Sequence, residues 1–155
     1  ITEEEGLLFQ KIYEEELDNI CLHEEVKNTL DFLKEKNVPL GIITNGPTDH
    51  QTKKLKQLQL NNWIPSHNML VSQATGFQKP EKEIFQLAEK EFHMLPGETL
   101  YVGDNYDNDV LGAKSADWQA LWFNHRERKI DQTPICDIEI SSFDQLLETM
   151  KTIFA

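Results

Sequence analysis

Cysteine, basic residues and long apolar runs are all scarce in this 155-residue chain. The two cysteines, Cys21 and Cys136, lie far apart and form no CxxC pair, so a reduced, cytoplasmic compartment is the default. Lysine and arginine number 15 against 27 aspartates and glutamates, giving a formal net charge of -12. That balance excludes a general nucleic-acid binder, which needs basic cover for phosphates. No apolar run is long enough to span a membrane. GxGxxG and GxSxG are absent, which leaves dinucleotide and serine-hydrolase chemistry without support. His67, His93 and His125 are scattered, and no HxxxH or CxxH spacing points to zinc. There is no internal repeat and no low-complexity segment.

What is present is a domain-sized chain that is 39% hydrophobic, with a mean hydropathy of -0.53. That is enough for one globular core. The first residue is Ile rather than Met, and the true N-terminus is expected to lie upstream. Residues 1–20 are acidic and helical in pattern, with Leu7, Leu8, Ile12 and Tyr13 on one face. After His23, Val26, Leu30 and Leu33 repeat at i, i+4, i+7, a second helix ended by Asn37 and Pro39. Apolar runs at Leu40–Ile43, Met69–Ser72, Leu100–Val102 and Ala120–Phe123 read as buried strands, and Ile135–Ile140 as a short edge strand. Between them lie helices carrying Leu55 and Leu58, then Ile84, Phe85, Ala88 and Phe92, then Val110, Leu111 and Ala113; a last helix starts at Ser142. Gln73–Gln78 and Asn124–Asp131 read as loops, and Phe85, Phe92, Trp118 and Trp122 as core. Strands alternating with helices predict an α/β fold with a parallel sheet.

Three stretches carry candidate chemistry. The first is Thr99–Ala116, a short strand stopped at Gly103 and followed by Asp104, Asp107 and Asp109 before a helix. In open α/β sheets, ligands bind beyond the carboxyl ends of the strands, where Asp104 would sit. Carboxylates there suit Mg²⁺, which takes one or two of them together with waters and phosphate oxygens. The same letters also fit a solvated turn and helix cap. A calcium loop fails on pattern: counted from Asp104, position 6 is Asp109 rather than Gly and position 12 is Ser115 rather than Glu. The second is Thr44-Asn45-Gly46, at the end of a strand and ahead of a helix opened by Pro47. The Thr44 hydroxyl and nearby N–H groups could donate to phosphoryl oxygens, or the stretch could be an ordinary turn. The third is Lys79-Pro80 before a helix. Lys79 is either solvated or turned inward against the carboxylates as a compact positive charge.

Taken in order, GIITNG, FQKPEKEIF and GDNYDNDVLGA resemble the haloacid dehalogenase-like (HAD) hydrolase superfamily, from about His23 to the C-terminus. The phrasing is most similar to its phosphatase and nucleotidase branch with a helical cap. The resemblance implies a Rossmann-like parallel sheet flanked by helices over 21–155, with 1–20 as the remnant of cap and linker. It implies a Mg²⁺-dependent phosphatase acting on a small phosphate monoester. By motif, Thr44 would bind the transferring phosphoryl group, with Asn45 and Gly46 shaping its cradle. Lys79 would neutralise nucleophile and phosphoryl oxygens. Asp104 would be a metal ligand, and Asp109 would support the metal or Lys79.

The chain departs from that family at one point. The family's first motif, a DxD after the first strand, supplies the nucleophile and lies upstream of TNG. Here only 43 residues precede Thr44, and they read as helix. The literal DxD at Asp107–Asp109 falls inside the last motif. The expectation is a core that lacks its first strand and its aspartyl nucleophile. Either this is a fragment, or the sheet closes up or borrows a strand in a homo-oligomer. The competing readings are a non-catalytic or degenerate α/β binding domain and a haloacid dehalogenase.

Overall fold

A computed structural model describes residues 21–155. The sequence reading of a helix over 1–20 lies outside the described residues. Among the described residues, five short strands are all parallel to their neighbours, in two groups. β1 (Ile42–Thr44) pairs with β2 (Met69–Val71). β3 (Leu100–Gly103) pairs with β4 (Gln119–Phe123), which pairs with β5 (Ile138–Ile140). Helices alternate with them: α1 (Glu24–Glu35), α2 (Thr48–Gln57), α3 (Ser72–Thr75), α4 (Lys82–Phe92), α5 (Leu111–Ser115) and α6 (Phe143–Ile153).

β1, β3 and β4 are mostly apolar because both of their faces are covered, whereas β5 at the edge exposes Glu139. Side chains alternate between two cores. Ile42, Val102, Leu121, Phe123 and Ile140 join α1, α2 and α6 through Leu30, Leu55 and Leu146. Ile43, Tyr101, Ala120 and Trp122 join α4 and α5 through Phe85, Ala88 and Ala113. The second core centres on Phe85, fully buried, with the Tyr101 and Trp118 rings edge-on at 5.3 Å each. Gly112 permits this packing: a Cβ there would stand 2.7 Å from the Phe85 ring.

The sheet is broken between β1 and β3, and among the described residues no strand fills the break. This is where the resemblance puts the family's first strand. An apolar cavity of about 670 Å³ opens there, bordered by Gly41, Ile43, Leu100, Tyr101 and Val102. The Tyr101 hydroxyl reaches across and donates to the Ile43 carbonyl at 3.0 Å, satisfying one edge acceptor.

Three local expectations are corrected. Gln73–Gln78 is not all loop: a single helical turn, α3, spans Ser72–Thr75 and stops at Gly76, which takes a φ of +82°. The strand expected at Leu40–Ile43 is shifted to Ile42–Thr44 because its ladder with β2 runs through Thr44↔Val71. The edge strand shortens to Ile138–Ile140, since β4 offers partners only from Leu121 to Phe123.

Candidate active site

The candidate residues are assembled at the carboxyl ends of β1 and β3, with Lys79 spanning the two. Thr44, the last residue of β1, is fully buried. Asn45 follows, and its side chain forms a closed pair with the Lys79 backbone: Nδ2 donates to the Lys79 carbonyl at 3.1 Å, and Oδ1 accepts from the Lys79 N–H at 2.9 Å. The Asn45 carbonyl is held by Gln51 Nε2 at 2.8 Å. Gly46 has a φ of +140°, and a Cβ there would collide with the Gln51 side chain, so only glycine fits this bend. Its N–H donates to Ser72 Oγ at 2.9 Å. Asn45 and Gly46 therefore shape the turn. Beside it lies a polar hollow of about 540 Å³ lined by Gly46, Ser72, Gln73 and Gln78. The larger apolar cavity reaches back to Pro39 and Thr99, toward the opposite strand ends; Thr44, Lys79, Asp104 and Asp109 do not line it.

From the fixed backbone of Lys79, the ammonium runs inward to Asp109 Oδ1 at 2.8 Å and to the Tyr101 hydroxyl at 3.2 Å. Both charged side chains are almost wholly enclosed, at 0% and 1% exposure. Asp109 Oδ2 accepts from the Asn105 N–H at 2.9 Å. Burial pushes the Asp109 carboxyl above the ordinary carboxylate range, while the Lys79 ammonium and the Asn105 N–H pull it down. The loop between the acids is a π-helical turn, Tyr106–Val110, laced by Asn105: its side chain accepts from the Asn108 N–H and its carbonyl from the Asp109 N–H. Such turns aim side chains that a regular helix would not. Gly103 matters as much, because a Cβ at this strand end would fall on the Asp109 carboxylate.

Asp104 is held differently. Its backbone carbonyl accepts from Trp122 Nε1 at 3.1 Å, and its Oδ2 meets His125 Nε2 at 3.0 Å. Its Oδ1 is buried with no hydrogen-bond partner. A buried carboxylate oxygen left bare is costly, and such a group calls for an explanation. A hard cation is one, and carboxylate oxygen is the donor Mg²⁺ prefers. The residues present fit that ion in part: among the described residues no group of three or more His, Cys, Asp or Glu could hold a metal alone.

The structure thus joins Asn45, Lys79 and Asp109 in one connected set and places Asp104 next to it. Asp107 of the literal DxD is exposed. Four contributors were not singled out from sequence: Tyr101, Ser72, Gln51 and His125. His125 had a usable signal, since it lies two residues beyond β4 at the same rim of a parallel sheet where Asp104 directly follows β3. The other three act through tertiary contacts that no local pattern displays.

A parallel α/β core carries, at its strand ends, a buried lysine–aspartate pair and a bare carboxylate oxygen, groups suited to binding an anion and a cation. The model of the family described as haloacid dehalogenase-like hydrolase matches residues 3–123, and the chain belongs to that family. It is 31% identical over 128 residues to the glyceraldehyde 3-phosphate phosphatase of Pyrococcus furiosus, covering 81% of this chain and 52% of that protein. The chain spans about half the length of the curated relatives it matches. Among solved structures, the HAD-hydrolase YfnB of Bacillus subtilis, bound to magnesium, superposes with a TM-score of 0.74 at 27% identity, covering 83% of this chain and 56% of that one. A 2-haloacid dehalogenase of Pseudomonas syringae pv. Tomato gives 0.73 at 27% identity, over 89% and 56%. Among the described residues, no helix is long and apolar enough to cross a membrane.

Proposed function

We propose that this chain forms the phosphoryl-binding half of a Mg²⁺-dependent phosphatase that hydrolyses a small phosphate monoester. The observation that carries the reading is the bare, buried Asp104 Oδ1 beside the enclosed Lys79–Asp109 pair. The phosphatase named among the relatives supports the substrate class. The net charge of -12 repels an anionic substrate overall, so attraction must be local. Lys79 supplies one fixed positive charge, enclosed where the effective dielectric is low. Bound Mg²⁺ would supply the rest by neutralising phosphoryl oxygens, with Asp104 as its direct ligand.

Phosphoryl transfer needs positioning and charge stabilisation more than covalent chemistry from most of the site. Thr44 would donate its hydroxyl to a phosphoryl oxygen. Asn45 fixes the Lys79 backbone, so the ammonium enters from one direction. Asp109 balances Lys79 and keeps its charge in place; both its oxygens are engaged, so it acts toward the metal only indirectly. The nucleophilic aspartate of this reading belongs outside these 155 residues. Cys21 and Cys136 are both free thiols, which suits a cytoplasmic setting.

The test is phosphate release by protein expressed from the complete reading frame. The panel would include glyceraldehyde 3-phosphate, phosphoserine and p-nitrophenyl phosphate, with and without EDTA. The reading expects release that EDTA abolishes and Mg²⁺ restores, and an inactive Asp104→Asn variant. Activity that survives EDTA, a fully active Asp104→Asn variant, or halide release from a 2-halo acid without phosphatase activity would each contradict it.

A further inference from the structure

Asp104 is held by a side chain that the proposed reaction does not otherwise use. His125 Nε2 lies 3.0 Å from Asp104 Oδ2, with only 11% of the histidine side chain and 4% of the aspartate side chain exposed. An ionised carboxylate only accepts hydrogen bonds, so Nε2 carries the proton and donates. The other oxygen, Oδ1, is the bare one. The two oxygens of a single carboxylate are therefore sorted, one tied to the imidazole and one left open.

The imidazole is itself fixed. The preceding residue, Asn124, is buried and clamps the turn that carries His125: Nδ2 donates to the Arg128 carbonyl at 2.9 Å and to Glu139 at 3.0 Å, and Oδ1 accepts from the Arg128 N–H at 2.8 Å. The Asn124 N–H donates to the Ile140 carbonyl of β5 at 2.7 Å. The His125 ring also lies against Phe123, with centroids 5.1 Å apart. A loosely solvated surface histidine would have none of this support.

We infer that His125 is a positioning residue for the cation site: it locks the rotation of the Asp104 carboxylate so that Oδ1 is presented to a divalent ion. The inference rests on the proposed role of Asp104 as metal ligand. Groups hydrogen-bonded to a ligating side chain commonly change metal affinity by 10- to 100-fold when removed. Without the imidazole, the carboxylate is free to turn, and the ion must order it on binding.

The experiment is calorimetric titration of the protein with Mg²⁺, repeated with Mn²⁺ followed by electron paramagnetic resonance. It would use wild type, Asp104→Asn, His125→Ala and His125→Gln, with the melting temperature of each variant recorded without metal. Wild type binds, and Asp104→Asn loses binding. His125→Ala should bind about 10- to 100-fold more weakly. His125→Gln, whose amide N–H can replace the Nε2 donor, should recover much of that loss. Wild-type affinity in His125→Ala, with Asp104→Asn defective, would overturn the role of His125 and leave the metal site standing. Weakened binding in both His125 variants, in step with lowered melting temperature, would also overturn it, because that pattern marks general destabilisation. Unchanged binding in Asp104→Asn, or no binding by wild type, would instead remove the metal reading on which the inference rests.

Discussion

Replacing Lys79 by Met isolates the charge that holds the site together. Met matches the length and much of the volume of the lysine stem, so packing against the Tyr101 ring changes little. What is lost is the ammonium 2.8 Å from Asp109 Oδ1, inside a region where neither side chain exceeds 1% exposure. Removing one partner of a buried ion pair costs roughly 3–5 kcal/mol, because the other charge is left uncompensated. That is a large share of the about 5–15 kcal/mol that holds a domain folded. Burial already raises the Asp109 pKa and Lys79 lowers it, so in the variant the carboxyl rises further. A carboxyl with a raised folded-state pKa contributes stability at low pH and loses it as pH rises through that value. The deficit of Lys79→Met should therefore be greatest at pH 8 and shrink on acidification. Adding Asp109→Asn removes the stranded charge while keeping an acceptor for the Asn105 N–H. The double variant should be more stable than Lys79→Met at pH 8, with a coupling of about 2–3 kcal/mol. Urea unfolding of the four proteins at pH 5 and pH 8 measures this cycle. Additive effects, or a Lys79→Met cost below about 1 kcal/mol, would refute the reasoning, since that is the range of a solvent-exposed pair.

Other perturbations follow from the same geometry. Gly103→Ala places a methyl group on the Asp109 carboxylate, and should lower stability by about 1–3 kcal/mol in urea unfolding while reducing Mg²⁺ binding. Tyr101→Phe leaves the Ile43 carbonyl without its donor at the broken edge of the sheet and should cost about 1–3 kcal/mol by the same assay. At Asp137, burial opposes ionisation, but the Ala120 N–H at 2.8 Å and the Lys114 ammonium at 2.9 Å outweigh it and hold the carboxyl below its ordinary value. Its stabilising contribution is present above the ordinary carboxylate pKa and is lost as pH falls through the lowered value. Melting curves from pH 6 to pH 3 should therefore fall more steeply for wild type than for Asp137→Asn.

The central strands were legible because they are largely buried on both faces: LGII, LYV and ALWF stand out as apolar runs against a charged background. The amphipathic helices were legible for the complementary reason. Ile84, Phe85, Ala88 and Phe92 line one face of α4, and all are buried. Strand limits were less visible, because pairing sets them: Thr44 belongs to β1 through Val71 of β2, a partner 27 residues away. α3 is four residues long, too short for any period to show. Within the site, strand-end logic located Thr44, Asp104 and Asp109. It did not reveal that Asn45 would hold the Lys79 backbone from 34 positions away, nor that Tyr101, read as a core strand residue, would touch both Lys79 and Ile43. Those contacts arise only once the Lys79 turn packs between the ends of β1 and β3.

The most direct test of the central claim is a crystal structure of the protein with Mn²⁺ and a phosphate-mimicking oxyanion. The account predicts one anomalous peak at coordination distance from Asp104 Oδ1. The oxyanion should lie between that ion, Lys79 and the Thr44 hydroxyl. An ion bound elsewhere, or an oxyanion in a pocket that Thr44, Lys79 and Asp104 do not share, would contradict it.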